Sequence, residues 1–294
     1  MKMDAIVTYV DGLDPLWQKD YETAVGKKIL DKRFRDWGTL KYQFRGIAKF
    51  LPFVDRIHLV VSRESQVPSW VNRENVNVVL HGDIIPSELL PVFNSCTIET
   101  FLPCIPGLAE EFIYFNDDMY PLAPCEKRDF FRDGKGVMGL SRHIFSGNMY
   151  KKQCKVSSDL ALKALGRRGR LCFVRPQHIC SPMLLSSCKA VFSAVEDEIL
   201  SRASRLRTTE NPNQYLFLDY MYYSGKMVPE RISNKHFSLA AHSIDKICDF
   251  VRKPATKLAC INDVHMSNEK YLDCRGKLLS AFEDALPEKS RFEL

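Results

Sequence analysis

A short apolar run that stops on one amide and two adjacent carboxylates constrains the fold of this chain more than any other feature. Residues 111–115 are mostly apolar, and Asn116, Asp117 and Asp118 follow them at once. This pattern predicts a buried strand that carries oxygen-bearing side chains to the sheet edge where ligands of open α/β sheets bind. Adjacent carboxylates repel one another, and a hard divalent cation such as Mg²⁺ or Mn²⁺, together with a phosphate group, offsets that cost. The alternative is a strand followed by a turn with solvated acids, because Asn-Asp pairs also favour turns.

Strand and helix patterns alternate along the first half of the chain. Apolar and β-branched runs occupy residues 5–10, 56–62 and 76–81. Apolar residues spaced four, three and four apart mark one face of an amphipathic helix at Leu40, Phe44, Ile47 and Leu51. This order of elements predicts a parallel sheet with crossover connections. The first strand ends at Asp11 and Gly12, which indicates either a nucleotide site or a plain turn.

Basic residues flank the start of the amphipathic helix. Arg33, Arg35 and Asp36 lie at or before its N-terminus. Backbone N–H groups and guanidinium groups at such a position bind phosphate well. Lys41 and Arg45 are four residues apart on a face away from the apolar one, a spacing typical of a solvated helix face.

A second helix is predicted just before the apolar run. Asn94 or Ser95 caps a helix that begins near Thr97. Glu99 then lies in its first turns, where the pattern alone gives it a surface-capping role. After the run, residues 129–139 read as an extended loop, and a short strand is expected at 142–145.

The second half of the chain is expected to be mainly helical. Helices are predicted from about Pro182 to Ser204, from Pro212 to Ser224 and from Glu269 to Leu286. His178 stands just ahead of the first, where an imidazole is suited to act as a general base or a phosphate ligand. A further apolar run ends in Asn262 and Asp263, which repeats the pattern at Asn116 and Asp117.

Composition narrows the class of protein. The chain has 294 residues, of which 45% are hydrophobic, enough for one large α/β domain or for a core with a helical addition. No apolar run reaches the roughly 18 residues of a membrane-spanning helix, and the N-terminus leads straight into a strand pattern. We therefore expect a soluble, cytoplasmic protein.

Charge and cysteine content narrow the choice of ligands. The net charge of +6 favours an anionic ligand, and without a concentrated basic stripe it does not specify nucleic acid. Ten cysteines show no CxxC pair and lie mostly among apolar neighbours. They are expected to be reduced core residues, neither a zinc site nor a disulfide framework.

Four separated blocks of sequence together resemble the Stealth family. That family comprises the phosphotransferases of bacterial capsule synthesis, whose animal relative is the N-acetylglucosamine-1-phosphotransferase of lysosomal targeting. The blocks are residues 7–12, similar to the motif Y-T-W-V-D-G; residues 33–118; His178 with Arg205 to Arg207; and residues 260–263. Tyr9 stands where the family usually has Trp, and Trp37 and Thr39 replace the usual Asn and Glu.

The resemblance implies a reaction. A sugar-1-phosphate would pass from a nucleotide-sugar, typically a UDP-sugar, to a hydroxyl of a glycan acceptor, leaving UMP and a phosphodiester. The implied cofactor is Mg²⁺ or Mn²⁺, and no nucleic acid is expected as a partner. A lipid-linked acceptor and peripheral association with the inner face of the membrane remain open. The rival interpretations are a metal-dependent glycosyltransferase that releases UDP and a non-catalytic protein that binds glycans or nucleotides.

The resemblance also implies a fold and a set of site residues. We predict one Rossmann-like α/β domain over residues 1–294, with a nucleotide-sugar-binding core at 1–145 and a helical portion at 146–294 that completes the active site. The implied catalytic residues are Glu99, Asp118, His178 and Arg207. The implied metal ligands are Asp117, Asp118, Asn262 and Asp263. The implied nucleotide-sugar-binding residues are Tyr9, Val10, Asp11, Gly12, Arg33, Arg35, Asp36, Lys41, Arg45 and Asn94. Two alternatives stay open: His178 as general base or nucleophile, and Arg205 in place of Arg207.

Overall fold

The computed structural model describes residues 2–26 and 34–294 of the chain. Within these residues the helices are α1 (Pro15–Val25), α2 (Leu40–Phe50), α3 (His81–Ile84), α4 (Ser95–Phe101), α5 (Met149–Ala164), α6 (Leu185–Ala194), α7 (Glu196–Arg202), α8 (Tyr215–Tyr223), α9 (Ile244–Arg252) and α10 (Asn268–Ala285). The strands are β1 (Met3–Thr8), β2 (Arg56–Val61), β3 (Val76–Leu80), β4 (Glu111–Phe115), β5 (Met119–Pro121), β6 (Phe131–Arg132), β7 (Lys135–Val137), β8 (Leu140–His143), β9 (Phe173–Pro176), β10 (Ser181–Leu184), β11 (Met227–Val228), β12 (Asn234–Ser238) and β13 (Leu258–Asn262).

The central sheet has the strand order β10-β4-β1-β2-β3. Strands β4, β1, β2 and β3 are parallel, and β10 runs antiparallel beside β4. Val7 of β1 is aligned with Phe115 of β4 and with Leu59 of β2, so the carboxyl ends of these strands lie together. The predicted α/β class with a mostly parallel sheet is therefore confirmed. The sheet brings the segments after Thr8 and Phe115 to one edge.

Helix α2 lies close against β5, the short strand that follows the two acids. Its apolar face buries Leu40, Phe44 and Ile47, as the spacing predicts. A Cβ atom on Gly46 would lie 2.4 Å from the carbonyl oxygen of Pro121. The approach of α2 to β5 therefore requires a residue without a side chain at this position.

A second sheet joins the end of the chain to the site. It has the order β12-β13-β5, with β12 and β13 parallel and β5 antiparallel to β13. Cys260 is paired with Met119, so Asn262 and Asp263 come to lie beside the segment 116–118. The two Asn-Asp motifs, which are far apart in the sequence, thus meet in space.

The helix predicted from Pro182 to Ser204 is wrong at both its start and its middle. Residues Ser181–Leu184 form β10, and Pro182 is paired with Ile113 of β4. A proline is tolerated there because β10 is an edge strand, and the same residue type also begins helices, which explains the misassignment. The helical part starts at Leu185 and divides at Val195 into α6 and α7.

Other segments also differ from the predictions. The expected loop at 129–139 contains a hairpin of β6 and β7, whose turn residues Asp133 and Gly134 have φ of 50° and 68°. Two consecutive turn residues with positive φ, the left-handed backbone conformation, match the twist of the strands that flank a hairpin turn. Helices α1, α5 and α9 and strand β12 were not predicted. The second half of the chain therefore contributes strands as well as helices.

All ten cysteines lie in the described part of the chain, and each has a free thiol. Eight are buried, and Cys104 and Cys172 are exposed. In the described residues, no helix is both long enough and apolar enough to cross a membrane.

Candidate active site

Two neighbouring cavities open at the carboxyl edge of the central sheet. The first, the His178 cavity, has a volume of about 910 Å³, and its lining includes Glu99, Tyr150, Arg175, His178, Tyr215 and His236. The second, the Tyr9 cavity, has a volume of about 810 Å³, and its lining includes Tyr9, Val10, Trp17, Arg35, Asp36, Trp37, Asp117 and Asp263. Both cavities are lined by Ser95, Asn116, Asp118, Arg207 and Asn262. We call these five residues the shared wall.

The ends of β1 and β4 form the floor of the shared wall. The Tyr114 hydroxyl lies 3.0 Å from Oγ1 of Thr8 and donates to Oδ1 of Asn116 at 2.5 Å. Gln43 on α2 donates to the backbone oxygens of Asn116 and Met119, both at 2.7 Å. The turn that carries the two carboxylates is therefore held from the sheet below and from the helix beside it.

Asp118 has one satisfied and one unsatisfied oxygen. Its Oδ2 accepts a hydrogen bond from Sγ of Cys260 at 3.3 Å. Its Oδ1 is buried and has no hydrogen-bond partner among the described residues. A buried carboxylate oxygen without a donor carries a large desolvation cost, which a bound cation would offset. Asp118 therefore fits the role of a metal ligand.

Asp117 faces a strongly acidic part of the Tyr9 cavity. Its side chain is exposed to that cavity, yet it lies deep enough in the protein for burial to raise its pKa to about 7. The charges of Asp118, Asp36 and Asp263 add to this rise. Repulsion among these carboxylates favours a cation between them, because a nearby positive charge stabilises the ionised forms.

The side chains of Asn262 and Asp263 differ in exposure and in hydrogen bonding. The Asn262 side chain is exposed at the shared wall. Both oxygens of Asp263 accept hydrogen bonds, Oδ2 from Nε1 of Trp37 at 3.1 Å and Oδ1 from the backbone of Val264 at 2.5 Å. Burial raises the pKa of Asp263. Hence all four predicted metal ligands line the Tyr9 cavity, and among the described residues both oxygens of Asp263 are engaged in hydrogen bonds whereas Oδ1 of Asp118 is not.

Glu99 is buried, so the surface-capping role that the pattern indicated is wrong. It lies on α4 with 4% of its surface exposed. Its Oε2 accepts a hydrogen bond from the backbone N–H of Gln214 at 3.1 Å. Burial raises its pKa to about 7, while Gln214, Arg207 and Ser95 act in the opposite direction. Glu99 is thus a carboxyl group that lies behind the shared wall and has a pKa close to neutral pH.

Asn94 positions this part of the site from outside both cavities. Its Oδ1 caps α4 by accepting from the backbone of Cys96 at 3.1 Å. Its Nδ2 donates to the carbonyl of Ser204 at 3.1 Å and to Oδ1 of Asn211 at 3.0 Å. These bonds connect α4 with the segment 203–211, which carries Arg207.

The structure distinguishes the two candidate arginines. Arg207 lies in the shared wall, where its Nη2 donates to Oγ of Ser95 at 2.5 Å. Arg205 lies outside both cavities and donates from Nη2 to the carbonyl of Leu90 at 2.8 Å. The position of Arg207 allows its guanidinium to reach an anion held between the cavities.

His178 lies between β9 and β10, in the wall of its cavity. Its Nδ1 is 3.3 Å from the hydroxyl of Tyr215, and its ring centroid lies 6.2 Å from that of Tyr150 and 5.7 Å from that of His236. The ligand atoms of His178, His236 and Cys260 lie within 4.8 Å of one another. Sequence reasoning missed His236, because β12 was not predicted and its pairing with β13 is the signal that would have indicated it.

Four of the predicted nucleotide-sugar-binding residues, Tyr9, Val10, Arg35 and Asp36, line the Tyr9 cavity. Asp11 and Gly12 are not among its described lining residues, but a Cβ atom on Gly12 would be 2.1 Å from the carbonyl oxygen of Phe34, which does line it. Phe34 packs on Trp17 with ring centroids 4.9 Å apart, and the cavity also contains Tyr21 and Phe93 of the same aromatic cluster. Sequence reasoning did not identify this aromatic wall.

The remaining predicted residues are placed elsewhere. Lys41 lies 3.9 Å from Glu283, and Arg45 is bonded to Glu293 and to the carbonyls of Leu286 and Pro287. The structure does not bring these two together with the cavity residues. Arg33 lies outside the described residues.

Comparison with known proteins identifies the relatives of this chain. Residues 33–138 match the family model "Stealth protein CR2, conserved region 2". The chain is 33% identical to the capsular polysaccharide phosphotransferase WcwK of Streptococcus pneumoniae, over 100% of this chain and 99% of that protein. It is 34% identical to the receptor polysaccharide phosphotransferase WefC of Streptococcus oralis, with the same coverage.

Similarity to solved structures is more distant. The galactosyltransferase LgtC in complex with donor and acceptor sugar analogues gives a TM-score of 0.43 at 10% identity, over 94% of this chain and 96% of that one. The glycosyltransferase GlyE of Streptococcus pneumoniae TIGR4 gives 0.42 at 10% identity, over 99% and 66%. The relatives matched over the full chain, together with the matched conserved region, show that this protein is a transferase of the Stealth family of sugar-1-phosphate transferases.

Proposed function

We propose that this enzyme transfers a sugar-1-phosphate from a UDP-sugar to a hydroxyl group of a glycan acceptor in surface polysaccharide synthesis and releases UMP. The observation that carries the proposal is the pair of cavities with a shared wall. A transfer between two substrates needs two binding spaces that meet where the bond is exchanged. The shared wall contains an arginine and a carboxylate, one oxygen of which has no partner among the described residues, and both groups suit a phosphoryl group, the carboxylate through a bound cation.

The Tyr9 cavity suits the nucleotide part of the donor. Its aromatic wall offers ring faces for a base, and Arg35 and Asp36 add charged and hydrogen-bonding groups. Its acidic side, at Asp117 and Asp263, would repel phosphates if it stayed uncompensated. A divalent cation held by these carboxylates would supply the compensating positive charge.

Mg²⁺ or Mn²⁺ fits the oxygen donors of this site. Asp118 would hold it through the unpartnered Oδ1, with Asp117, Asn262 and Asp263 as further ligands. When bound, the cation neutralises charge on the pyrophosphate and on the departing phosphate of UMP. Arg207 complements it by placing a guanidinium on the phosphoryl oxygens, where its charge is most effective in the transition state.

His178 is best placed to act as the general base. It lines the His178 cavity, on the acceptor side, and its contact with the Tyr215 hydroxyl fixes the ring. It would take the proton of the acceptor hydroxyl as that oxygen bonds to the β-phosphorus. The bond from this phosphorus to the bridging oxygen breaks, and UMP leaves. Glu99, buried beside Arg207 and Ser95, would position the arginine electrostatically.

The nucleotide product tests this proposal. The protein is incubated with Mg²⁺ or Mn²⁺, a panel of UDP-sugars and a glycan acceptor, and the nucleotides are resolved by chromatography. We expect UMP to accumulate in proportion to phosphodiester product. UDP as the acceptor-dependent product would overturn the proposal, because it would show cleavage of the sugar-to-phosphate bond.

A further inference from the structure

Three side chains at the wall of the His178 cavity form a ligand set of a kind different from the carboxylates. The ligand atoms of His178, His236 and Cys260 lie within 4.8 Å of one another. They come from the segment between β9 and β10, from β12 and from β13. The spacing of cysteines along the chain did not predict this cluster, because its members are contributed by three distant segments.

The backbone places these residues together. Strands β12 and β13 are parallel, and His236 is the direct partner of Cys260 in their register. Partners on neighbouring strands project to the same face of a sheet. Gln177, next to His178, donates from Nε2 to the carbonyl of Ile232 at 2.9 Å and accepts from its N–H at 3.1 Å. These bonds fasten the His178 segment to the start of β12, so the cluster does not depend on one flexible side chain.

The chemistry of the set selects a class of metal. Two imidazoles and a thiol are ligands that Zn²⁺ prefers, whereas Mg²⁺ prefers oxygen. A fourth ligand lies next to the cluster, although outside the group whose ligand atoms are all within 4.8 Å of one another: Oδ2 of Asp118 is 3.3 Å from Sγ of Cys260, and Oδ1 of the same carboxylate is buried without a partner in the described structure. With metal-to-ligand bonds of about 2.0–2.3 Å, the ligand atoms of a tetrahedral site lie roughly 3.5 Å apart. Metal binding would therefore require the ligand atoms of the cluster to move about an ångström closer to one another.

We infer that His178, His236 and Cys260, with Asp118 as the fourth ligand, bind Zn²⁺ or a transition-metal ion of similar preference. Binding would release the proton of the Cys260 thiol, because the thiolate is the ligand. The site shares His178 and Asp118 with the transfer machinery. Occupancy therefore blocks turnover, a consequence that rests on the proposed function, whereas the binding itself does not.

Cobalt substitution tests the binding without any assay of activity. Full-length protein, freed of metal with a chelator, is titrated with Co²⁺ and then with Zn²⁺. We expect a one-to-one complex with a thiolate-to-cobalt charge-transfer band and tetrahedral d–d bands, both abolished by Zn²⁺. The Cys260→Ser variant should lose the charge-transfer band. The His236→Gln variant, altered at an exposed side chain, should bind at least 10-fold more weakly.

Two control variants keep the inference falsifiable. Cys172→Ser removes an exposed cysteine and His143→Ala removes a histidine of β8, and both should bind Co²⁺ like the parent chain. The inference is overturned if the parent chain shows no thiolate band, or if the band depends on Cys172 instead of Cys260. A circular dichroism spectrum like that of the parent chain shows that each variant is folded. If Cys260→Ser does not fold, the weaker Co²⁺ binding expected of His236→Gln tests the inference in its place.

Inhibition of the transfer reaction by Zn²⁺ is measured separately from metal binding. In the UMP-release assay with Mg²⁺ in excess, Zn²⁺ should inhibit the parent enzyme, and His236→Gln should need at least 10-fold more Zn²⁺ for the same inhibition. Cobalt binding at Cys260 without inhibition by Zn²⁺ would refute the roles given to His178 and Asp118 and leave the metal site standing.

Discussion

The proposed transfer depends more directly on Asp118 than on any other residue of the shared wall. It is common to both cavities, it follows a buried strand, and one of its oxygens is buried without a donor in the described structure. An oxygen of this kind can coordinate a cation without giving up an existing hydrogen bond.

Replacement of Asp118 by Asn should separate function from folding. We expect kcat to fall roughly 10²–10³-fold, the range seen when one group that stabilises a transition state is removed. The melting temperature should stay the same or rise, because repulsion with Asp117 is relieved. Steady-state UMP release and a thermal melt measure both effects. Asp197→Asn, at an exposed position of α7, is the control and should change neither. Near-parental turnover in Asp118→Asn would contradict the assigned role.

Glu99 should make the stability of the protein depend on pH. Its pKa is about 7 in the folded protein, compared with 4.5 for an ordinary glutamate. Between these two values the folded state keeps a proton that the unfolded chain has lost, so the free energy of unfolding falls as pH rises. The fall attributable to Glu99 is on the order of 3 kcal/mol and is complete above about pH 7.

Urea denaturation at pH 5 and pH 8 measures this contribution. Glu99→Gln should lose less stability than the parent chain between the two pH values, since Gln keeps an acceptor for the Gln214 N–H but has no charge to bury. Glu196→Gln, at an exposed position of α7, should behave like the parent. Identical pH dependence in Glu99→Gln and the parent would show that Glu99 ionises normally.

The sequence singled out residues that line the two cavities, but it did not predict their environment. The acids after β4 and after β13 were recognised because each ends an apolar run. The burial of Glu99 was missed, because it depends on tertiary contacts such as the one with Gln214, a residue 115 positions away. His236 was missed for the same reason, since only its pairing with Cys260 across two strands gives it a site to join.

At the scale of elements, the C-terminal segment is fastened to α2 by a buried ion pair. The Arg45 and Glu293 side chains are only 7% and 4% exposed, and Nη2 lies 3.0 Å from Oε2. Nε of Arg45 also donates to Oε1 at 3.1 Å, and Nη1 donates to the carbonyl of Leu286 at 2.8 Å. This arrangement explains why a basic residue on a helix face that looked solvated is buried.

Removing one partner of this ion pair should lower the free energy of unfolding strongly, whereas replacing both partners by apolar residues should lower it less. Glu293→Gln leaves the buried Arg45 guanidinium with only the exposed Glu283 carboxylate, 3.4 Å from Nη1, as an ionic partner. We expect a loss of about 3 kcal/mol in the free energy of unfolding, measured in urea. The double variant Arg45→Met, Glu293→Leu should recover most of it, and Glu288→Gln, exposed in the same segment, should be neutral. We expect the double variant to keep the KM for the UDP-sugar, because Arg45 lies outside the Tyr9 cavity. A large rise in KM would instead support a donor-binding role for Arg45.

The errors in predicted elements have a common physical cause. Parallel strands β1 to β4 and helix α2 have strong local patterns, and the structure confirms them. The segment 181–184 has a proline and buried residues on both sides, so its local pattern fits a helix start as well as an edge strand. Its state is decided by the pairing with β4, which lies about 70 residues earlier in the chain.

At the scale of the whole molecule, the tryptophans report which cavity takes the nucleotide. Trp17 and Trp37 line the Tyr9 cavity, whereas Trp70 packs on Phe44 with ring centroids 5.4 Å apart. We expect UMP with Mg²⁺ to change the intrinsic fluorescence, because a nucleotide bound in the Tyr9 cavity, as proposed, would contact the first two rings. The change should persist in Trp70→Phe and shrink in Trp37→Phe, with binding checked separately by calorimetry. A signal that disappears only in Trp70→Phe would place the nucleotide elsewhere.

Strand β10 also has a consequence for how the chain can be made. It comes from the second half of the sequence and covers the free edge of β4, a strand composed largely of aromatic and branched residues. Until Leu184 has left the ribosome, that edge offers unpaired backbone groups to any other extended chain, which is a template for aggregation. A cut between residues 145 and 146 would leave the first fragment in this state permanently. We therefore expect the two halves to fold as one unit, with the nascent chain most vulnerable while residues 116–184 are being synthesised.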